Sequence, residues 1–251
     1  MNQIAEFLVG LRKGAQPRPA ALPAALAPQS EAEAYRIQMQ VLEQLGAEVG
    51  GWKATLPDTT AGWSAPIPSV NVLRAGAPLA PPALRTVGSQ RIGIEPEVAF
   101  TLGHDLPAGR NHPRADVLQA IASAHAAIEL CDCRLADFDS APLLDRLADN
   151  LMNEGLVLAA PMTGWQSLDF GTLPLQVSVN GERVHAGVGG HALQDPLIPL
   201  VWLANHLSQR GIALRAGQVV TTGSFAGCRW VPPGSRVTVE FAGLGTATVD
   251  L

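Results

Sequence analysis

The chain has 251 residues, of which 47% are hydrophobic, so it is long enough to bury a sizeable core. Its net charge at pH 7 is −5, and its 17 lysines and arginines form no basic stripe that could follow a nucleic-acid backbone. No apolar segment reaches the roughly 20 residues that a membrane-spanning helix requires. We therefore expect neither a nucleic-acid nor a membrane partner.

The cysteines and the N-terminal segment indicate the compartment. Cys131, Cys133 and Cys228 form neither an even set nor a CxxC pair, which favours free thiols in a reducing environment. The N-terminal residues lack the basic, apolar and small-residue regions of a signal peptide. A cytoplasmic protein is expected.

The first fifth of the chain is predicted to be helical. Residues 2 to 13 carry apolar side chains at helical spacing, and a segment rich in proline and alanine follows them. Ser30 has the character of an N-cap for a second helix, which Gly46 would end. Residues 1 to 50 are therefore predicted to form a helical N-terminal arm.

After residue 50 the pattern changes to short strands separated by glycine and proline. Residues 51 to 251 are predicted to form a strand-rich core, so that residues 1 to 251 make one α+β catalytic domain. The individual predictions are a strand at 91 to 103, a helix running into a strand at 115 to 131, a hairpin at Asn180-Gly181, a helix from near Asp195, and closing strands.

Glu95 and Glu97 flank Pro96 in an otherwise apolar predicted strand. Because side chains alternate along a strand, both carboxylates should lie on one face, where two like charges favour a bound cation. Pro96 cannot donate a ladder hydrogen bond, which predicts an edge strand, a bulge, or an amide position facing a cleft. On spacing alone, two surface glutamates on a solvated edge are an equally good interpretation.

Glu129 lies at the apolar end of residues 120 to 133, where a lone carboxylate must be paired or bound to a metal. Three carboxylates form a hard-cation site suited to Mg²⁺, Mn²⁺ or Ca²⁺, whereas zinc would favour histidine or cysteine ligands.

Other reactive residues are interpreted as structural. His125, taken to lie on a helix among alanine and isoleucine, is expected to be a hydrogen-bonded packing residue. Cys131 and Cys133 are interpreted as small apolar residues of a buried strand. Ser140 and Ser224 lack the GxSxG context of a serine hydrolase.

Several short motifs together resemble one enzyme family over nearly the whole chain. The chain resembles the branch of the fumarylacetoacetate hydrolase superfamily that contains 2-keto-4-pentenoate hydratases, 2-oxohepta-3-ene-1,7-dioate hydratases and 4-oxalocrotonate decarboxylases. The order and separation of the motifs carry this resemblance. They are Ala-Tyr-x-Ile-Gln at 34 to 38, GWK at 51 to 53, IEPEVAF at 94 to 100, AAIELCDCRL at 126 to 135, LADN at 147 to 150, GHALQDPLIPLVWLANHL at 190 to 207, and VVTTGSFAG at 219 to 227.

The resemblance implies a mixed β-roll core of the fumarylacetoacetate hydrolase type behind the helical arm, in a homo-oligomer. It assigns Mg²⁺ or Mn²⁺ to Glu95, Glu97 and Glu129. The expected substrate is a small 2-oxo or 2-hydroxy-dienoic acid that chelates the metal through its carboxylate and C2 oxygen. A divalent ion on both oxygens stabilises the enolate that forms as protons move along the substrate.

The resemblance also makes Lys53 the catalytic residue, because the family places a lysine of a GWK or GRK motif close to the metal. A desolvated lysine beside a cation has a lowered pKa and can exchange protons near neutrality. On the bare sequence, a surface lysine is the favoured alternative.

Five residues are predicted to bind the substrate: Asn71, Asn150, Thr222, Gly223 and Ser224. Thr222, Gly223 and Ser224 offer amides and hydroxyls that can hold a carboxylate. Asn150 is included, although a structural turn formed with its neighbour Asp149 explains the LADN motif equally well.

Asn71 lies where hydratases often carry an acidic residue, and an amide cannot act as a general base. Asp58 or another carboxylate could replace that residue, or the reaction could differ. Leu151 and Met152 stand where the family has small or hydroxylated residues, which predicts a more apolar end of the pocket.

The leading hypothesis is hydration of a 2-hydroxy-2,4-dienoate to a 4-hydroxy-2-oxo acid in the meta-cleavage breakdown of aromatic compounds. Decarboxylation of a 4-oxalocrotonate-like diacid needs the same enolate and is the first alternative. Hydrolysis of an acylpyruvate calls for a water-activating Glu or His dyad, which we do not find. A non-catalytic partner subunit of a hydratase and decarboxylase complex is the remaining alternative.

Overall fold

A computed structural model describes residues 3–56, 61–76 and 90–251. Its α-helices are α1 (Gln3–Arg12), α2 (Glu31–Gln44), α3 (Arg114–Gln119), α4 (Leu143–Ala148) and α5 (Leu197–Gln209). Its strands are β1 (Val49–Thr55), β2 (Trp63–Pro68), β3 (Val72–Arg74), β4 (Ile92–Leu102), β5 (Ile121–Cys131), β6 (Asn153–Leu158), β7 (Pro174–Val179), β8 (Glu182–Val188), β9 (Val219–Ser224), β10 (Arg229–Val231), β11 (Arg236–Phe241) and β12 (Gly245–Asp250).

The helical arm is confirmed. The Ser30 hydroxyl accepts a hydrogen bond from the Glu33 amide at 3.3 Å, which caps α2, and Gly46 takes a φ of +64° just after the helix. Apolar side chains of α1 and α2, such as Leu8 and Ile37, pack with Leu147 of α4 in a cluster of their own. None of the helices among the described residues combines the length and the hydropathy needed to cross a bilayer.

Two sheets form the rest of the fold, as the mixed β-roll prediction requires. Among the described residues, the larger sheet has the order β2-β1-β9-β4-β5-β6-β3, with β10 also paired to β4. It is mixed because β1 and β9, like β3 and β6, run parallel while the other pairs are antiparallel. The smaller sheet, β12-β11-β7-β8, packs against β5 and β6. Helix α5 covers β1 and β9.

Two local predictions in this region are confirmed. Asn180 and Gly181 connect β7 to β8 with φ values of 52° and 84°, the positive pair that a two-residue hairpin needs. Helix α5 begins close to Asp195, whose carboxylate accepts from the Leu197 amide at 2.9 Å.

Strand β4 does not lie at an edge, so that alternative for Pro96 is wrong. The strand is flanked by β5 on one side and by β9 and β10 on the other. Its pairing with β9 shifts between Glu97 and Ala99, so the bulge alternative is confirmed. The Pro96 carbonyl is still used, because it accepts from the Phe225 amide at 2.8 Å. An irregular register lets an interior strand carry a residue without an N–H.

The helix-to-strand prediction for residues 115 to 131 is confirmed, but the placement of His125 on a helix is wrong. Helix α3 ends at Gln119, and His125 lies in β5. Its ring nitrogens lie 2.8 Å from the Thr101 hydroxyl and 2.9 Å from the Ala159 carbonyl. Burial lowers the pKa of His125, against the opposing effect of the Ala159 hydrogen bond.

Candidate metal centre

The three glutamates of the predicted site come together on two adjacent central strands. Glu95 of β4 lies directly opposite Glu129 of β5, and Glu97 follows two residues later on the same face. One carboxylate oxygen from each lies within 4.8 Å of the others. Glu97 and Glu129 are buried, with exposed fractions of 1% and 0%, and Glu95 is partly exposed. The surface-glutamate alternative is therefore wrong.

Glu97 has one oxygen bound by the protein and one that is free. Its Oε2 accepts hydrogen bonds from the Thr221 hydroxyl and from the Gly223 amide, the latter at 2.9 Å. Its Oε1 is buried and has no hydrogen-bond partner within the described parts of the chain. A buried carboxylate oxygen without a donor is costly, and a cation offsets that cost.

Glu129 likewise has one oxygen that the protein binds and one that is free. Its Oε1 accepts from Lys53 Nζ at 2.8 Å and from Asn153 Nδ2 at 3.0 Å. Its Oε2 is buried and lacks a partner among residues 3–56, 61–76 and 90–251. Two free, buried oxygens beside Glu95 are the donor set that a hard divalent cation prefers, so the residues fit such an ion.

The electrostatics of the cluster agree with this donor set. Burial raises the pKa of Glu97 well above its usual value, and repulsion from Glu129 and Glu95 adds to that effect. Burial also raises the pKa of Glu129, against the attraction of Lys53. The three carboxylates are thus held closer together than their charges alone would favour.

Lys53 is buried, so the surface-lysine alternative is wrong. Its Nζ lies 3.7 Å from Glu95 Oε2, in addition to its contact with Glu129, and donates to the Leu151 carbonyl at 3.2 Å. Burial lowers the pKa of Lys53, but the attraction of Glu129 and Glu95 more than reverses this and raises the pKa well above its usual value. The nearest charges here are the carboxylates, whereas the sequence prediction concerned a lysine beside a bound cation.

An unusual turn presents the carbonyl that Lys53 contacts. Asn150, Leu151 and Met152 have φ values of 58°, 51° and 66°, three successive residues in the left-handed region. For residues other than glycine this conformation costs roughly 1–2 kcal/mol each. Strained backbone of this kind concentrates at functional sites.

The two asparagines predicted to bind substrate each hold a backbone carbonyl. Asn71 is buried, and its Nδ2 donates to the Glu154 carbonyl at 2.8 Å. Asn150 Nδ2 donates to the Pro66 carbonyl at 3.1 Å. Asp58, the suggested replacement for an acidic residue at position 71, lies outside the described residues.

Strand β9 carries the three residues Thr222, Gly223 and Ser224 that were predicted to bind the substrate, and Gly223 hydrogen-bonds to a carboxylate of the cluster. The Gly223 amide reaches Glu97, whereas the Thr222 hydroxyl donates to the Val98 carbonyl at 2.9 Å. Ser224 borders a cavity of about 230 Å³ next to this contact. That cavity is lined by Thr55, Leu56, Trp63, His191, Ala192, Thr222, Gly223 and Ser224.

Sequence reasoning missed two residues that position the glutamates. The Thr221 hydroxyl donates to Glu97. Because side chains alternate along β9, Thr221 and Thr222 point to opposite faces, and this alternation could have identified Thr221. Asn153 binds Glu129 from the start of β6, and no spacing pattern indicated it because the left-handed turn precedes it.

A buried ionic network lies under the site and connects it to the helical arm. Arg134 contacts Asp149 at 2.6 Å and also pairs with Glu154. Arg12 of α1 reaches the same Glu154 oxygen at 3.1 Å. Burial and the nearby Arg134 lower the pKa of Arg12 to about 9. Asp149 of the LADN motif therefore belongs to this network.

Residues 42–251 match the family described as fumarylacetoacetate (FAA) hydrolase C-terminal. This match covers most of the chain, and the glutamates, the lysine and the mixed sheet all fall within it. The chain therefore belongs to the fumarylacetoacetate hydrolase family.

Two curated relatives are similar over a shorter segment. The chain is 34% identical over 157 residues to a 2-keto-4-pentenoate hydratase of Burkholderia vietnamiensis, covering 62% of this chain and 56% of that protein. It is 31% identical over 155 residues to a 4-oxalocrotonate decarboxylase of Pseudomonas putida, covering 62% and 58%. The matched segment thus spans little more than half the length of either relative.

The solved structure of 4-oxalocrotonate decarboxylase from Pseudomonas putida G7, complexed with calcium and acetate, superposes with a TM-score of 0.82 at 23% identity. The superposition covers 99% of this chain and 96% of that one. The same decarboxylase complexed with magnesium and adipate gives the same score at 22% identity. These likenesses establish the fold.

Proposed function

We propose that the protein is a divalent-metal-dependent hydratase that adds water to a 2-hydroxy-2,4-dienoate and gives a 4-hydroxy-2-oxo acid. The observation that carries the proposal is the pair of free, buried oxygens on Glu97 and Glu129 beside Glu95 and the buried Lys53. Similarity to a protein named 2-keto-4-pentenoate hydratase supports the reaction class.

Glu95, Glu97 and Glu129 would hold Mg²⁺ or Mn²⁺, since the donors are all carboxylate oxygens. When bound, the ion supplies a Lewis acid for the substrate carboxylate and C2 oxygen and stabilises enolate charge. The calcium and magnesium complexes of the related decarboxylase support a divalent ion.

The chain's own residues would orient the ligands and move the proton. Thr221 and Gly223 fix one oxygen of Glu97 and so direct the other toward the centre of the cluster. Lys53 would donate a proton or a hydrogen bond to the substrate from a side chain that is 5% exposed. Burial is the largest influence on the pKa of Lys53 and lowers it, so neutralising the glutamate charges would move that pKa toward values useful for proton transfer.

Decarboxylation of a 4-oxalocrotonate-like diacid is the second candidate, favoured by the decarboxylase relative. A second substrate carboxylate would need unopposed positive charge at the far end of the pocket. A cavity of about 530 Å³ beside Cys228 is lined by Arg18 and Arg91, but Asp132, Asp137 and Asp139 line it as well. The mixed charge of this cavity favours a substrate with one carboxylate.

The deciding experiment incubates the purified chain with 2-hydroxypenta-2,4-dienoate and Mn²⁺, follows the dienoate absorbance, and weighs the product by mass spectrometry. We expect loss of absorbance that a chelator stops, with the mass of one water gained. A product lighter by carbon dioxide from 4-oxalocrotonate, the six-carbon diacid whose decarboxylation leaves a dienolate, would establish the decarboxylase instead. Metal binding without turnover of either acid would establish a non-catalytic subunit.

A further inference from the structure

A second set of metal-ligand atoms adjoins the three glutamates and shares one residue with them. Ligand atoms of Glu95, Cys131 and Cys228 all lie within 4.8 Å of one another. Cys131 ends β5, and Cys228 immediately precedes β10. Since β5 and β10 pair with opposite sides of β4, the two thiols approach each other across that strand.

Gly93 of β4 provides the room for this approach. It pairs with Cys131 on one side and with Trp230 on the other. A Cβ at position 93 would lie 2.7 Å from Cys228 Sγ and 2.9 Å from Cys131 Cβ. The backbone of Gly93 is not in the left-handed region, so the space, and not the conformation, requires glycine here.

The thiols contact each other and can be reached from outside. The side chains of Cys131 and Cys228 are hydrogen-bonded to each other, and both sulfur atoms lie within 4.8 Å of a Glu95 oxygen. Cys131 is fully buried, whereas Cys228 is partly exposed and lines the cavity of about 530 Å³. An ion entering that cavity would meet Cys228 first and then Cys131 and Glu95.

We propose that Glu95, Cys131 and Cys228 bind a thiophilic divalent cation such as Zn²⁺ or Cd²⁺, with water in the fourth position. Two thiolates and one carboxylate suit such an ion, whose tetrahedral ligands lie roughly 3.3–3.8 Å apart. Binding exchanges the two thiol protons for two metal–sulfur bonds, and the protons leave to solvent. Because Glu95 serves both sites, occupation of this site opposes binding of the hard cation, whether or not the protein is a hydratase.

The test is a titration of the reduced chain with Cd²⁺, followed by the ultraviolet charge-transfer absorption of cadmium thiolates and by proton release. We expect one such cadmium per chain. Cys228→Ser and Cys131→Ser should each weaken this binding by more than about 100-fold, beyond the 10–100-fold that loss of a supporting residue costs. Cys133→Ser is the matched control, because Cys133 is also buried but lies 3.9 Å from Asp149 instead.

Glu97→Gln separates this inference from the proposed function. It disables the hard-cation site and should leave the cadmium–thiolate absorption in place, whereas Glu95→Gln should weaken it. No thiolate absorption in the wild type would overturn the proposal, as would wild-type absorption and affinity in the Cys131 and Cys228 variants. An inactive wild-type chain that still shows the absorption would reject the hydratase function and retain this site.

Discussion

Individual side chains divide the carboxylate oxygens into those held by the protein and those left for a cation. Thr221 and Gly223 occupy one oxygen of Glu97, and Lys53 and Asn153 occupy one oxygen of Glu129. The oxygens that remain are buried and without partners among the described residues. Substitution of single residues in this cluster is therefore the most direct test of metal binding.

Glu97→Gln should weaken Mn²⁺ binding by more than about 100-fold, because it removes charge from the cluster while keeping the shape of the side chain. Without metal, the variant should melt no lower than the wild type, since burial and neighbouring charges already disfavour an ionised Glu97. Calorimetric titration measures the affinity. The exposed Glu182→Gln is the control, and wild-type affinity in the Glu97 variant would end the metal-site hypothesis.

Lys53→Met should lower kcat by about 10²-fold or more, the scale of a positioned proton-transfer or charge-stabilising group. Its Mn²⁺ affinity should be unchanged or higher, because the variant removes a positive charge 2.8 Å from Glu129. Steady-state kinetics with the dienoate and a metal titration check the two parts. Exposed Lys13→Met should change neither quantity, and near-normal turnover of the Lys53 variant would exclude a catalytic role.

At this scale the sequence predicted the carboxylates but not their partners. Alternation along one strand placed Glu95 and Glu97 on a common face, the apolar surroundings of Glu129 added the third carboxylate, and the family resemblance added Lys53. Thr221 and Asn153 reach the site from other strands, through pairings that are distant in sequence. Short-range patterns do not encode such pairings.

At the scale of elements, helix α5 meets the arm through a stack of rings. His206 stacks on Trp202 at 4.5 Å between ring centroids and lies 5.1 Å from Tyr35 of α2. Arg210 lies 3.9 Å above the Tyr35 ring. Burial, and then the charge of Arg210, lower the pKa of His206 to about 4.

This lowered pKa predicts how stability depends on pH. On acidification the unfolded chain takes up the proton first, so the free energy of unfolding should be fully present above about pH 6.5 and fall between pH 6.5 and about 4. The loss should be roughly 1–2 kcal/mol after allowance for the partial exposure of the ring.

Urea unfolding at several pH values measures this dependence. His206→Asn loses ring contacts at every pH, so the readout is the slope with pH, which should decrease in this variant. His104→Asn, at an exposed position, should keep the wild-type slope. An unchanged slope in the His206 variant would contradict the assignment.

Most elements followed from local patterns, and the exceptions have physical causes. Ser30, Gly46 and Asn180-Gly181 act locally, so their caps and turn were predicted. From the sequence, Pro96 was consistent with either an edge strand or a bulge. The pairing of β9 and β10 with β4, which local patterns do not show, decides for the bulge. The alanine-rich start of β5 carries no β-branched pattern, and pairing with β4 overrides its helical propensity around His125.

For the whole molecule, the arm and the sheet are joined by buried charges as well as by apolar packing. Arg134 is fully buried and is the cation shared by Asp149 and Glu154, and Arg12 of the arm joins the same Glu154 oxygen. The single domain predicted for residues 1 to 251 stays a prediction, and because of this link we expect the arm and the sheet to unfold together. The α+β class was predicted from local patterns and the mixed β-roll through the resemblance, and the superposition confirms the fold.

Arg134→Leu should lower the free energy of unfolding by about 3–5 kcal/mol, because it leaves two buried carboxylates without their shared cation. Arg12→Leu should cost much less, since Glu154 keeps Arg134 and a repulsion between two arginines disappears. Urea unfolding followed by circular dichroism and by tryptophan fluorescence should give coincident transitions in the wild type. Equal losses in the two variants, or separate transitions, would contradict this account.

The pairing of Glu95 with Glu129 also limits how the chain can misfold. A slip of one residue between β4 and β5 would send one row of carboxylates to the opposite face, into the apolar interior. Such a state would be compact and rich in strands, yet its acidic groups would be scattered. If the proposed metal site is correct, binding of a divalent cation would therefore report on correct sheet assembly, and it would separate native from near-native chains during refolding where spectroscopy of secondary structure cannot.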